Sequence, residues 1–548
     1  MDQRIKTLMQ LCDDVFQKRS ALVAFWQDIA ENFYVERADF TVGSNAGMDF
    51  AAGLETSYPL LARRDLGNAF SAMLRPSDRE WFHIRAKQES REDTNARRWL
   101  EWATCVQRRA MYDRRAQLTR ACKEGDHDFA AFGQAVISAE IGRDGASLLH
   151  RCWHLRDVAW CENAEGQVDT IFRKWNPTAH DLVRTFGAKS SAKVRDGLQD
   201  DPFDTVECRH IVVPSDLYEV LPGEKKRGAP YVSIYYDVDN DHVMEERGVW
   251  NTIYIVPRWQ TVSGSQYAYS PATVVALPDA RLIQAMTAVL IEAGERAANP
   301  PMIAVQDMVK SSIDLFPGGV TWVDADYDER LGEVLRPLVQ DKTGLPLGIE
   351  LRNDVRAVIT EAFYLNKIGL PPISREMTAF EVGQRVTEYI RQALPLFEPM
   401  EQEYNGQLCE IDFGNLMRGG AFGAVADIPP SLRGADIEFR FESPLHEAVE
   451  RQKAIRLGEA RQAIAQVADL EPTAAQMLDV RVALRDALQG LGVPAKWTRD
   501  EREMAARDQA RAQAQAAEAL LGGVARSAGI TKTVGEAGQS LGAALTGA

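Results

Sequence analysis

Two proline clusters frame the second half of this chain. Asn299-Pro300-Pro301 and Gly369-Leu370-Pro371-Pro372 each end an apolar helical pattern, at roughly Asp279–Ala298 and about Glu350–Ile368. A proline has no amide to donate and its ring crowds the preceding turn, so neither helix can run through these points. Two helices of similar length therefore bracket residues 299–350, which carry nine acids against four bases. A further helical pattern begins near Thr378, with Val382, Val386, Tyr389, Ile390 and Leu394 on one face. Pro395 and Pro399 must kink or break it.

Ahead of this frame the periodicity changes twice. Ile5, Leu8, Met9, Cys12, Val15 and Phe16 follow the spacing of one helical face, and a second helix carries Phe25, Trp26, Ile29 and Phe33. A third runs from about Leu60 to Leu74, stopped by Arg75-Pro76. Residues 94–124 read as one long Arg-rich helix containing Trp99, Trp102 and Tyr112. Between about Ala135 and Val262 the pattern is β: Ala135–Ile141, Ile211–Val213, Tyr231–Val238 and Thr252–Val256 are β-branched and aromatic runs separated by turn residues. Asn240-Asp241 reads as a hairpin tip. Ser270-Pro271 and Leu277-Pro278 then lead into the first framed helix. Beyond Ser443-Pro444, an N-cap followed by proline, the pattern is almost wholly helical. Thr498-Arg499-Asp500-Glu501 fits a capping box opening a helix to about Leu521, and the Gly/Ala/Ser/Thr-rich end from Gly522 is expected to be mobile.

Composition narrows the function classes. The chain has 548 residues, 45% hydrophobic and 26% charged, enough for about three or four compact units without staples. Seven scattered cysteines make no secreted disulfide framework and suit a reducing site of synthesis. The charged start MDQRIKTLMQLCDDVFQKRS lacks the apolar core of a signal peptide. The longest apolar run, Ile283–Ile291, is about half of the ~20 residues that span a bilayer. Asp279, Arg281 and Glu292 flank it, so no transmembrane helix and no membrane partner is expected. With 63 Lys and Arg against 79 Asp and Glu, the formal charge is −16. That disfavours a protein that coats nucleic acid by neutralising phosphates, but not one that surrounds DNA without gripping it.

Motifs of enzymatic chemistry are missing. The sequence has neither the GxxxxGK[ST] phosphate loop nor GxSxG, since Gly43-Ser44-Asn45-Ala46-Gly47 lacks a central serine. His446-Glu447-Ala448-Val449-Glu450 misses HExxH because its last position is Glu450. His150, Cys152, His154 and Cys161 could be a metal set, but paired CxxC or HxxxH spacing is absent and a packed strand is the better reading. Asp237/Asp239/Asp241 and Asp324/Asp326/Asp328 both lack the glycine and glutamate of a calcium loop. The second run, with Glu329, reads as a solvated acidic surface. The Arg-rich 94–124 helix could bind nucleic acid, although Trp99 and Trp102 in a core with arginines in solvent is preferred. Gly419-Gly420-Ala421-Phe422-Gly423 follows no clear strand and reads as a flexible loop rather than a phosphate cradle. No metal and no cofactor is expected.

Several segments in order resemble the portal (head-to-tail connector) proteins of short-tailed, podovirus-type bacteriophages. They are Trp26–Phe40, Leu74-Arg75-Pro76 with Arg79-Glu80-Trp81-Phe82, Asp128–Gly133, Asn176–Gly187, Ser270–Pro278 (SPATVVALP), Met377–Val382 and Ser443-Pro444-Leu445. Each is weak alone; their collinearity over about residues 20–460 makes the resemblance strong. Two departures are a glycine-rich turn reduced to Ser270-Pro271, and a proline-rich loop represented by Asp427-Ile428-Pro429-Pro430.

The resemblance implies an α+β portal fold that assembles as a dodecameric ring around a DNA channel. Residues 1–270 would be a wing with a helical N-terminus and a β-rich part, 271–298 the first stem helix, 299–350 the clip and 351–370 the second stem helix. Residues 371–378 would be the channel loop, 379–442 a kinked helix returning to the wing, 443–521 a helical crown and 522–548 a tail. It implies no catalytic residues. Implied partners are double-stranded DNA passing without sequence specificity, the terminase large subunit, a tail adaptor, and capsid and scaffolding or internal core proteins. The implied location is the capsid portal vertex of a virion, after assembly in the bacterial cytoplasm. Lys367, Ser374 and Arg375, with Arg352 and Arg356, are the candidates for lining the channel, and Asp324, Asp326, Asp328 and Glu329 for an acidic clip surface. Two rival readings are a magnesium-dependent nucleic-acid hydrolase built on Asp324/Asp326/Asp328, and a tail adaptor. The paired helices around an acidic insert speak against the adaptor, which is normally much shorter.

Overall fold

The computed structural model describes residues 3–43, 51–77, 80–88, 93–220, 228–298, 300–304, 335–337, 344–368 and 400–441, with Trp322, Asp324 and short pieces between 457 and 515. In chain order the helices and strands are α1 Gln3–Lys18, α2 Ser20–Phe33, α3 Tyr58–Leu74, β1 Phe82–Ala86, α4 Thr94–Met111, α5 Leu118–Phe132, β2 Ile137–Ile141, β3 Leu148–Cys152, β4 Val158–Glu162 and β5 Val168–Trp175. Then come α6 Ala179–Phe186, α7 Ala192–Gly197, β6 Cys208–Pro214, α8 Ser215–Val220, β7 Tyr231–Asp237, β8 His242–Val249, β9 Tyr254–Ile255, β10 Gln260–Thr261, β11 Ala268–Tyr269 and α9 Pro271–Ala298. The remainder is β12 Met302–Ala304, β13 Leu335–Pro337, α10 Gly344–Ala362, α11 Leu365–Ile368, a π-helix Met400–Gly406 running into α12 Gln407–Arg418, and β14 Ile437–Phe441. The chain divides into two compact units, the first being residues 1–83, 104–424 and 439–448 and the second 84–103, 425–438 and 449–548.

The first unit is organised by a five-stranded antiparallel sheet in the order β4-β5-β6-β7-β8. Alternation along a strand sends successive side chains to opposite faces. Ile234 and Tyr236 thus join Phe172, Ile211 and Val213 against Ile5, Leu8, Cys12 and Val15 of α1. Tyr235 points the other way, with Cys208 and Met244, towards Leu182 and Val194 of α6 and α7. Cover on both faces explains why β6 and β7 are buried almost throughout rather than at alternate positions. The expected hairpin tip lies between β7 and β8, where Asp241 takes a left-handed φ of 49° and Asp237 accepts from the Asn240 amide at 3.1 Å. A three-stranded sheet, β3-β2-β9, lies in the same unit.

Four expectations need correction. Residues 94–124 form two helices, because the chain breaks at 112–117, where Asp113 accepts from the Arg115 amide and Gln117 is left-handed at φ 53°. Trp102 is 46% exposed; the buried stripe of α4 runs instead through Ala96, Leu100, Ala103, Thr104, Gln107 and Met111. The first framed helix starts at Pro271, not after Pro278, which sits inside it. Ser270 Oγ donates to Ala130 O and Thr273 Oγ1 to Ala131 O, and with Ala272, Ala276 and Leu277 buried this docking offsets the ~3 kcal/mol of an internal proline. The second framed helix is α10 and α11, interrupted at Tyr364, whose φ is 57°. The kinked pattern from Thr378, the 443–450 motif and the 498–501 capping box lie outside the described residues.

In the second unit Lys87 N donates to Asp436 O at 2.9 Å, and Arg433 holds the Ala426 and Ile428 carbonyls. Within the first unit Trp81 stacks on Phe441 with centroids 6.2 Å apart. Gly133 ends α5 at φ 72°, and a Cβ there would lie 2.1 Å from Tyr269 C and 2.3 Å from Ser270 N. Gly133→Ala is therefore expected to cost more than about 3 kcal/mol, from left-handed strain plus a backbone clash, read as a lowered midpoint in denaturant unfolding.

Candidate functional site

The surface with the clearest functional geometry belongs to α9 and α10, the two helices framed by the proline clusters. They pack closely: at Gly348 a Cβ would approach Leu290 Cδ2 to 2.9 Å, so glycine permits the contact. They are tied to α2 and to the segment before α3. Gln284 Oε1 accepts from the Glu55 and Thr56 amides, Arg281 pairs with Asp28, and Phe363 packs on Phe33 at 5.4 Å. The outer face is different. Val275, Pro278, Leu282, Ala285 and Val289 of α9 are exposed at alternating spacings of three and four, a continuous apolar seam. Leu347, Leu351 and Val358 do the same on α10. By length and composition α9 is long and apolar enough to cross a bilayer, contrary to the expectation from Ile283–Ile291, because the helix continues through Pro278 and gains Val274–Leu277. Charged Asp279 and Arg281 lie within it.

A second set of residues, whose pairing no sequence pattern signals, docks the Met400–Arg418 segment through buried charge. His150 Nε2 faces both Asp412 carboxylate oxygens at 3.0 Å while Nδ1 faces Ala116 O at 3.0 Å. The Ala116 carbonyl can only accept and so can an Asp412 carboxylate, so this geometry favours the form of His150 in which both ring nitrogens donate, the imidazolium. Burial pulls its pKa down, but the Asp412 charge and hydrogen bond outweigh it and hold it above the ordinary value. Arg75 pairs with Asp126 and donates to Asn405 Oδ1 at 2.7 Å, and Arg258 bridges Glu162 and Glu403. Asn415 Nδ2 and Gln107 Nε2 add bonds to the Ala139 and Cys409 carbonyls. A His-to-Asp pairing 262 residues apart leaves no periodic signal.

Arg356 stacks over the Tyr58 ring at 5.2 Å, and Tyr58 hydroxyl donates to Arg356 O at 3.2 Å; Arg352 is half-buried on α10. Lys367 lies on α11, while Ser374 and Arg375 are outside the described residues. Asp324 is half-buried, and Asp326, Asp328 and Glu329 are outside. The four metal candidates are not brought together. Cys152 Sγ sits 3.6 Å from Asp128 and His154 Nε2 2.8 Å from Asp39, and no group of three potential ligands could hold a metal among the described residues. Asp237, Asp239 and Asp241 accept the Asn240 amide, the Glu207 amide and the Tyr236 hydroxyl, which makes them turn formers. The glycine-rich 419–423 stretch caps the C-terminus of α12, with Phe422 buried on Phe413, so it offers no helix N-terminus to a phosphate.

Comparison with known proteins adds an independent finding. The family model described as bacteriophage head to tail connecting protein matches residues 5–498. The portal protein of Salmonella phage epsilon15 is 24% identical over 100% of this chain and 97% of its own length. The probable portal protein of Bordetella phage BPP-1 is 24% identical over 82% of this chain and 80% of its own. Among solved structures, a chain from the virion of a native gene transfer agent particle is similar at TM-score 0.35 and 11% identity, over 78% of this chain and 94% of that one. A chain from the neck of an empty particle of that kind gives TM-score 0.35 and 11% identity over 74% and 86%.

The buried imidazolium sets a pH dependence. Its stabilising contribution is fully present below the unfolded value of 6.5 and is lost as pH rises through the raised folded value. Melting temperature measured from about pH 5 to about pH 9 should therefore fall more for the wild type than for His150→Gln, which cannot titrate. Asp412→Asn removes the charge that holds the imidazolium, so His150 should turn neutral in the folded state and this loss of melting temperature with rising pH should disappear.

Proposed function

The chain belongs to the bacteriophage head to tail connecting protein family, and on that premise we propose that it is the portal subunit of a phage capsid. Copies close into a ring, twelve by the family's pattern, with α9 and α10 as the stem pair and the acidic 299–350 insert as the clip between them. The ring admits DNA during packaging with the terminase, joins head to tail through an adaptor, and releases DNA at ejection. The chain itself does no catalysis; energy enters through the terminase. Its place is the portal vertex of the virion, after assembly in the host cytoplasm.

The observation that carries this reading is the apolar seam Val275–Val289 on the outward face of α9, in a chain of net charge −16. An isolated subunit would leave that seam in water, whereas a neighbouring copy of the same helix pair can cover it. Twelve copies, each at −16, make a strongly negative ring. A polyanion inside it is not trapped by phosphate contacts and can slide. A few cations suffice to centre it: Lys367 at the stem end and Arg375 in the following loop, with Ser374 beside it. Arg352 and Arg356 serve the subunit contacts more than the DNA. The rival reading of a magnesium-dependent hydrolase on Asp324, Asp326 and Asp328 gains no support, since no group of three potential ligands could hold a metal among the described residues.

Electron microscopy of the purified full chain should show closed rings. Val289→Glu places a charge on the seam and should lower the ring fraction at least about tenfold, some 1.4 kcal/mol per contact, with the circular dichroism of the subunit unchanged. Monomers from the wild type under capsid-like ionic conditions would count against the reading. Lys367→Ala with Arg375→Ala should leave ring formation intact and lower the DNA held per particle.

A further inference from the structure

The Arg-rich stretch is not used by the helix seam. Residues 104–124 carry six cations, Arg108, Arg109, Arg114, Arg115, Arg120 and Lys123, against Asp113 and Glu124, in an otherwise acidic chain. The break between α4 and α5, which separates one expected helix into two, opens a crevice of about 300 Å³ there. Its wall includes Ser71, Arg75, Ser77, Tyr112, Thr119 and Cys122. Arg114 and Arg115 lie in the chain between Tyr112 and Thr119, and Arg120 and Lys123 directly follow Thr119 and Cys122.

The polar side chains on this wall can all donate, and none carries a negative charge. Thr119 is the second residue of α5, where amides have no intrahelical acceptor, and the preceding Gln117 supplies no side-chain cap. The helix dipole adds positive potential at the same end. Tyr112 hydroxyl accepts from Trp81 Nε1 at 3.0 Å, which leaves its own proton for another acceptor. Arg75 is 6% exposed and its Nε has no hydrogen-bond partner, while Asn405 and Asp126 hold its other nitrogens in place. The Cys122 thiol, pushed up to about 12 by burial, stays neutral and brings no opposing charge. Among the rim cations, Arg115 and Arg120 face Asp144 and Glu124 at 3.2 Å in exposed pairs that contribute little. Arg109, Arg114 and Lys123 are exposed with no ion-pair partner among the described residues.

We propose that this crevice binds a phosphate group, taken between the first turn of α5, the Tyr112 hydroxyl and the Arg75 guanidinium. A free phosphate and a backbone phosphate of nucleic acid share that chemistry, and the rim arginines suit either. The site does not depend on ring closure, so its failure would leave the assembly reading untouched.

Calorimetric titration of the full-length protein with inorganic phosphate, with a short DNA duplex and with a poly-glutamate peptide tests it. Phosphate should saturate one site per chain. Thr119→Asp should weaken it at least tenfold without lowering the melting temperature, because an acid in a first helical turn suits the dipole while repelling the ligand. Thr119→Val, which keeps the shape and loses the hydroxyl, should weaken it about fivefold, the worth of one hydrogen bond. Duplex binding that phosphate displaces and that Arg114→Gln with Arg115→Gln weakens would assign the site to nucleic acid; phosphate without duplex would assign it to the free ion. Absence of phosphate saturation, equal binding by both Thr119 variants and the wild type, or tighter binding of the acidic peptide would overturn it.

Discussion

Three buried cations, Arg75, His150 and Arg258, hold the Met400–Arg418 segment against the rest of the first unit. Each is less than a tenth exposed, and each meets an acid or amide from far along the chain: Asn405 lies 330 residues from Arg75, and Asp412 lies 262 from His150. Such pairs add little over well-packed apolar groups. Removing one partner, however, leaves a charge buried alone at a cost of several kcal/mol, which is a large share of a domain's net stability. Any slip of the π-helix or α12 by one residue would unmatch Asn405, Glu403 and Asp412 together. Charge matching therefore fixes the register of a segment whose apolar contacts alone would tolerate sliding.

With that segment anchored, the molecule has an inner and an outer chemistry. The sheet from β4 to β8 is covered on both faces, by α1 on one and by α6 and α7 on the other. The pair α9–α10 instead keeps apolar side chains in water along a seam of three-and-four spacing. Under the proposed function, an apolar stripe on a long helix and a strongly negative chain would let repeated subunits pack on each other while repelling a polyanion they enclose.

Much of this was legible along the chain. The core positions of α1 are the residues that its spacing named, Ile5, Leu8, Cys12 and Val15, because a 3.6-residue period reports one buried face directly. The β-rich region and the hairpin at Asn240-Asp241 were equally visible. The candidate channel residues were not testable by pattern, since which side of a helix faces a channel depends on neighbouring copies. The break between α4 and α5 was hidden, because Asp113 and Gln117 are ordinary helix residues until their side chain and φ are known. Pro278 misled, because its penalty is local while the compensation comes from the Ala130 and Ala131 carbonyls at the end of α5.

By itself, then, the amino-acid order determined most of the elements, the acidic charge and the proline frame, which are carried by neighbours within a few turns of one another, and, through the order of several short segments, the family. Tertiary structure alone decided that Asp412 holds His150 towards its charged form, that α9 runs through a proline, and that arginines gather beside a crevice at the start of α5. Those outcomes rest on groups brought together from distant positions, where burial and counter-charge rather than spacing set the energy.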